Sequence, residues 1–188
     1  MTGSATILAV SSTLTGTVIP TLSTVNKGTT YGINITITDG LSPSGMVKIV
    51  FPTTVTLTVT TGCATLVGTS VKTNPTCAYD SSTNSILISS MNSSSSNIPA
   101  QTLRFTISGV NNPPSVNPSG SFSVTTYYTT DTSGIVSVGT LSGITATLDI
   151  IDASRVSVVP TSYVVSDTSV SYTLNFVNGN SIPQNGYA

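Results

Sequence analysis

Cys63 and Cys77 are the residues best placed for covalent chemistry. They enclose Ala64–Thr76, with Asn74-Pro75 supplying a turn between them. A bridge closing a loop of about fifteen residues contributes roughly 3 kcal/mol in the chain-entropy account. Two thiolates without histidine or further cysteine cannot complete a tetrahedral zinc site. The alternatives are a disulfide or two free thiols, and the Cys63–Cys77 disulfide is expected because the rest of the composition reads as secreted.

Acid–base chemistry has little to work with. All six acids are aspartates (Asp39, Asp80, Asp131, Asp149, Asp152 and Asp167), and the chain has no Glu, His or Trp. Asp131-Thr132-Ser133-Gly134 is one residue too long for the Asp-Thr/Ser-Gly of aspartic proteases, and no second copy brings the partner carboxylate. It reads as an Asp-initiated turn. Asp149 and Asp152 are too few for a calcium site, which wants several oxygens; they read as solvated acids with an Asp152–Arg155 surface pair. Lys48 lies inside an apolar strand but has no Glu to promote an isopeptide bond, and reads as an exposed or snorkelling lysine. Ser and Thr make up roughly a third of the chain, yet no Ser-x-x-Lys spacing could activate a nucleophile. The seven tyrosines are too dispersed for a stacking platform. No catalytic residue, metal or cofactor is assigned, and an enzyme is not expected.

Composition narrows the class further. The 188 residues carry 5 Lys+Arg against 6 acids, net charge -1, and only 6% are charged. That leaves no electrostatic footprint for nucleic acid. A hydrophobic fraction of 38% with mean hydropathy +0.31 argues against disorder, and no apolar run reaches the roughly 18 residues of a spanning helix. Two N-glycosylation acceptors occur, Asn34-Ile35-Thr36 and Asn92-Ser93-Ser94. They join the Ser/Thr richness as signs of extracellular, glycan-bearing material. Met1-Thr2-Gly3-Ser4-Ala5 has no basic leader region, so a leader is expected to have been removed, or the chain to be a window cut from something longer.

The elements that must position these residues are strands. Tyr31–Thr38 alternates, with Ile33, Ile35 and Ile37 on one face and Asn34, Thr36 and Thr38 on the other. Further strands are expected at Met46–Phe51, Val55–Val59, Ser85–Ser89, Thr102–Ile107, Ser121–Thr130, Ile135–Val138, Ile144–Ile151, Val156–Val159 and Ser169–Val177. Gly, Pro, Asn and Ser punctuate them, as in Asn111-Asn112-Pro113-Pro114. Many short strands at this spacing predict an all-β, immunoglobulin-like antiparallel β-sandwich, though without the Trp of antibody domains.

The two ends of the chain resemble each other. Ala5-Thr6-Ile7 matches Ala146-Thr147-Leu148, Val18-Ile19-Pro20-Thr21 matches Val158-Val159-Pro160-Thr161, and Tyr31-Gly32-Ile33-Asn34-Ile35 matches Tyr172-Thr173-Leu174-Asn175-Phe176. Leu41-Ser42-Pro43-Ser44-Gly45-Met46 parallels Ser181-Ile182-Pro183-Gln184-Asn185-Gly186-Tyr187 with a one-residue gap. The offset stays at about 140 to 141 residues, the length of one domain. The expected organisation is one sandwich unit over 1–145 and the opening strands of a second over 146–188, completed by a neighbouring unit or by further chain. An apolar strand pair alone in water is marginal. Val156, Val158, Tyr172, Leu174 and Phe176 are therefore the expected inter-unit packing face.

The unit also resembles a family pattern. It has a strand running Gly45-Met46-Val47-Lys48-Ile49-Val50-Phe51-Pro52 and then the cysteine pair. Leu103-Arg104-Phe105-Thr106-Ile107-Ser108-Gly109-Val110-Asn111-Asn112-Pro113-Pro114-Ser115 follows, and last Ser121-Phe122-Ser123-Val124-Thr125-Thr126-Tyr127. Over most of 17–140 it is similar to the large tandem-repeat surface proteins of ciliates and related protists, in which immunoglobulin-like modules repeat along an extracellular stalk. The resemblance implies architecture and an extracellular or cell-surface location, and carries no active-site residue. The expected function is a structural subunit of an extracellular fibre or coat, partnered by copies of itself through head-to-tail packing and strand complementation, and by covalent glycans. The alternative is an adhesin-type module binding a glycan or protein through its loops.

Overall fold

The computed structural model describes residues 12–57, 63–130, 132, 134–148 and 155–177. Its regular elements are strands: β1 (Ser12–Pro20), β2 (Gly28–Ile37), β3 (Met46–Val50), β4 (Thr56–Leu57), β5 (Cys63–Val67), β6 (Thr76–Asp80), β7 (Ser85–Ser89), β8 (Gln101–Asn111), β9 (Phe122–Tyr127), β10 (Ile135–Leu141), β11 (Ser157–Pro160) and β12 (Tyr172–Asn175). Their sequences are rich in Val, Ile and Thr, whose branched Cβ suits a pleated strand.

β1 to β10 build the immunoglobulin-like sandwich. In one sheet β1 pairs antiparallel with β2, β2 with β8, and the far side of β8 takes β4 and β5. In the other, β6, β7, β3, β9 and β10 follow one another, all antiparallel. β1 belongs to both: Ser12–Leu14 run parallel to Ser137–Gly139 of β10, and the strand then crosses to β2. The crossing requires glycine twice. A Cβ on Gly16 would overlap the Asn34 carbonyl oxygen, and one on Gly139 would overlap that of Leu14.

The core lies between the sheets. Tyr31, Ile33, Ile35 and Ile37 of β2 and Leu103, Phe105 and Ile107 of β8 share one buried cluster with Val47, Ile49, Ile88, Phe122 and Val124. Strand alternation alone places most of these. Phe51 and Phe122 meet edge-on at 5.4 Å between ring centroids, and Tyr31 lies 6.2 Å from Phe122 and 6.4 Å from Phe51. Lys48 is half-buried on the outer face of its sheet.

Both sides of the sandwich are tied. On one, β1 hydrogen-bonds to both sheets. On the other, the Cys63–Cys77 disulfide joins β5 to β6, with Cα atoms 5.9 Å apart. Cys63 faces Ile107 of β8 and Cys77 faces Ile88 of β7, so the bridge spans the two sheets.

Three strands, β1, β5 and β6, are not among those expected from the sequence. β1 is the crossing strand and carries Thr13, Thr15 and Thr17 on one face with Gly16 on the other, while β5 and β6 are five-residue edge strands without a continuous apolar stripe. Conversely, the expected strand Ile144–Ile151 is not a strand over its described part, 144–148. Its backbone groups go to loops instead: Ile144 N to Ser119 Oγ at 3.0 Å, Ser119 N to Ile144 O at 2.9 Å, and Thr147 N to Ser23 O at 2.7 Å. Ile144 and Ala146 are buried, so this segment is strapped along the end of the sandwich. Of the expected strand Val55–Val59, Thr56–Leu57 is a strand and 58–59 lie outside the described residues.

Candidate inter-unit surface

β11 and β12 form a two-stranded sheet of their own, with Ser157 opposite Asn175, Val158 opposite Leu174, Val159 opposite Thr173 and Pro160 opposite Tyr172. Opposed residues of an antiparallel pair share a face. Val158, Leu174, Pro160 and Tyr172 therefore lie together. Three of the five residues expected to form the packing face, Val158, Tyr172 and Leu174, thus share one face with Pro160, while Val156 and Phe176 flank the paired strands by one residue each. The other face carries Ser157, Asn175, Val159 and Thr173.

Over its four pairs the hairpin reproduces the register of β1–β2. In β1–β2, Thr17 opposes Asn34, Val18 opposes Ile33, Ile19 opposes Gly32 and Pro20 opposes Tyr31. These are the positions of Ser157–Asn175, Val158–Leu174, Val159–Thr173 and Pro160–Tyr172, shifted by 140 residues on the first strand and 141 on the second. Cross-strand side chains agree as well. Asn34 Nδ2 donates to Thr17 Oγ1 at 3.0 Å, and Asn175 Nδ2 donates to Ser157 Oγ at 3.3 Å. The next rung matches, Thr21 N to Thr30 O at 2.8 Å and Thr161 N to Ser171 O at 2.9 Å. Both connecting loops turn through a left-handed residue, Asn26 with φ 53° and Ser166 with φ 70°. The extra residue of the second loop lies after that corner and accounts for the change of offset.

What differs is cover. Tyr31, Ile33 and Ile35 are all 0% exposed, whereas their counterparts Tyr172, Leu174 and Phe176 are 70%, 59% and 41% exposed. Val25 in the first loop is 5% exposed and its counterpart Val165 90%. Val156 and Val158 are exposed too. Fully burying a side chain of this size is worth about 1.5–3 kcal/mol.

Sequence reasoning misses one residue of the sandwich that matters here. Asn112 is buried at the end of β8. Its Oδ1 accepts from the Tyr31 hydroxyl at 2.8 Å, and its Nδ2 donates to the carbonyls of Leu22 at 2.7 Å and Thr24 at 2.8 Å. It thereby pins the β1–β2 loop to the sandwich. Burial pushes the Tyr31 hydroxyl above the ordinary tyrosine range. The signal available in the sequence was an Asn-Pro pair directly after an alternating strand.

The glycan acceptors are placed unequally. Asn34 lies on the outer face of β2, where its amide donates to Thr17 and its Oδ1 accepts from Arg104 Nε at 2.8 Å. The repeat keeps this Asn and its hydroxyl partner but has Val177 where Thr36 completes the acceptor, so the cross-strand bond is the feature the two hairpins share. Asn92 is buried, its Nδ2 donating to Ser96 O and its Oδ1 accepting from Ser94 N at 2.8 Å. A sugar on that nitrogen would displace the turn.

The acids are scattered. Asp80 accepts from Ser82 N at 3.0 Å, Ser82 Oγ at 2.6 Å and Thr83 Oγ1 at 2.7 Å in the β6–β7 turn. These bonds, that of the Ser82 side chain first, hold its carboxyl down at about 2. Asp131, Asp149 and Asp152 lie outside the described residues. Among the described residues no three His, Cys, Asp or Glu gather as a metal site, and no helix is long and apolar enough to cross a membrane.

No family model matches the chain, and no curated protein matches it. Among solved structures it is similar to BslA, a bacterial hydrophobin, at 12% identity over 73% of this chain and 98% of that one, with a TM-score of 0.42. It is similar also to a non-cellulosomal cohesin from the hyperthermophilic archaeon Archaeoglobus fulgidus (11% identity, 74% and 93% covered, TM-score 0.35). A third is the seventh ScaB type I cohesin from Pseudobacteroides cellulosolvens (11% identity, 74% and 97% covered, TM-score 0.34).

Proposed function

We propose that the chain is a structural subunit of an extracellular fibre or surface coat, built from immunoglobulin-like units joined head to tail. The β11–β12 hairpin opens a second unit, and its apolar face is covered by a sheet belonging to a further copy of the fold. The observation that carries this reading is the pair-for-pair identity of register between β11–β12 and β1–β2, combined with opposite exposure of the equivalent faces. A strand pair that repeats a core hairpin calls for the cover that hairpin has. Low charge supports close contact between units, because few ions must lose their water. The disulfide and the hydroxyl-rich surface support an oxidising, extracellular setting, as does the resemblance to protist surface repeats. Sugar on outward-facing hydroxyls and at Asn34 would supply the solubility that charge does not, whereas the buried Asn92 is a poor acceptor.

Light scattering after size exclusion, with negative-stain electron microscopy over a range of protein concentration, tests the proposal. Linear assemblies of fixed axial repeat, lost in Leu174→Asp, are the expected result. A monodisperse monomer at every concentration overturns it, and saturable glycan or protein binding by that monomer would favour the adhesin reading.

A further inference from the structure

The first hairpin shows which strand the second one lacks along its outer edge. β2 is flanked by β1 on one side and β8 on the other; β12 is flanked by β11, and no other described strand pairs with it. We propose that the edge of β12 left unpaired among the described residues is a strand-addition site whose occupant is a β8-type strand: apolar at alternate positions, with an Arg between the first two apolar residues, and ending in Asn-Pro. The inference rests on the assembly reading and names the element that docks first.

The chemistry of that occupant follows from what β8 does for β2. Arg104, Phe105, Thr106 and Ile107 stand opposite Asn34, Ile33, Gly32 and Tyr31. Shifted by 141 residues, the same strand would place Phe105 opposite Leu174 and Ile107 opposite Tyr172. It would thus extend the apolar face from two strands to three, the minimum for an independently stable sheet. Arg104 Nε, which donates to Asn34 Oδ1 at 2.8 Å, would meet Asn175. Asn112 would reach the Tyr172 hydroxyl and the loop carbonyls of Ser162 and Val164, the counterparts of Tyr31, Leu22 and Thr24. Thr173 in place of Gly32 is no obstacle, since a Cβ on Gly32 has its nearest neighbour at 3.6 Å. Backbone pairing along an edge gives affinity, and alternate side chains give selectivity.

The probe is a synthetic peptide of residues 101–114 (Gln-Thr-Leu-Arg-Phe-Thr-Ile-Ser-Gly-Val-Asn-Asn-Pro-Pro), added to the intact chain. Amide hydrogen exchange is read over Tyr172–Asn175, with Gly28–Ile37 as the internal control for exchange into the peptide's parent site. The expected result is saturable slowing at Tyr172–Asn175 and none at Gly28–Ile37. The Asn112→Ala peptide should bind about tenfold more weakly, as for loss of a buried hydrogen-bonded group, and a scrambled peptide should do nothing. No slowing at millimolar peptide, or equal slowing by the scrambled peptide, overturns the inference. The two readings fail separately. A chain that assembles but, diluted to dissociated monomer, shows no peptide protection sinks the edge site alone; peptide protection of a chain that stays monomeric at every concentration sinks the assembly and leaves the edge site standing.

Discussion

Two hairpins of nearly the same design sit in opposite environments. β1–β2 and β11–β12 share register, the Asn-to-hydroxyl bond across the strands and a left-handed corner in the loop. Tyr31 and Ile33 are sealed under a second sheet while Tyr172 and Leu174 face outward. Pairing and register are therefore properties of the hairpin's own residues, set by cross-strand neighbours and turn chemistry. Burial is supplied from far along the chain, by β3, β7, β8 and β9. Among the departures from the copy, Gly16, where β1 crosses between sheets, corresponds to Val156. β1 goes on pairing with β2 through Gly16 to Thr15, whereas the described pairing of β11 with β12 ends at Ser157.

Substitution at paired positions separates the two environments most sharply. Ile33→Asp puts a carboxylate in the core and should cost at least about 4 kcal/mol, enough to abolish the cooperative thermal transition. Leu174→Asp should leave that transition within about 0.5 kcal/mol of the parent. Equal effects would mean that the second hairpin is already part of the core. Gly16→Val, which writes the residue of the second hairpin into the first, should cost about 4 kcal/mol because the Cβ meets backbone. Val156→Gly should be near neutral, and denaturant titration of both variants checks the pair.

Reducing Cys63–Cys77 should lower sandwich stability by roughly 3 kcal/mol, about 10 °C in melting temperature, without changing amide exchange in β11–β12. Smaller still is Tyr31→Phe, which leaves Asn112 Oδ1 without its donor and should cost about 1–2 kcal/mol. It should also alter the alkaline limb. Burial raises the Tyr31 hydroxyl above its unfolded value near 10, so its contribution is present below about pH 10 and lost as pH rises beyond, where only the unfolded chain ionises. Phe at 31 should flatten that part of the stability–pH curve.

Much of this was legible in the residues. Alternation in Tyr31–Ile37 and Val47–Phe51 located two core strands because one face of each is continuously apolar. The repeat located the second hairpin because it is a local copy. The edge strand β6 carries no continuous apolar stripe because it is exposed or half-buried along its length, β5 is a five-residue strand with a register shift against β8, and the 144–148 strap resembles a strand because its buried residues alternate like one. In the sequence Asn112 reads only as turn punctuation, because nothing within its own segment shows that a tyrosine hydroxyl 81 residues away needs an acceptor.

By itself the sequence determined the all-β class, the sparse acid–base chemistry, the pairing face of each hairpin and the repeat that relates them, since all of these follow from side-chain type and short spacing. Tertiary structure alone decided which copy of the hairpin is covered, that the disulfide links one sheet to the other and that β1 serves both. Those outcomes depend on contacts between residues tens to more than a hundred positions apart, where closure of the chain, and not local pattern, selects the partner.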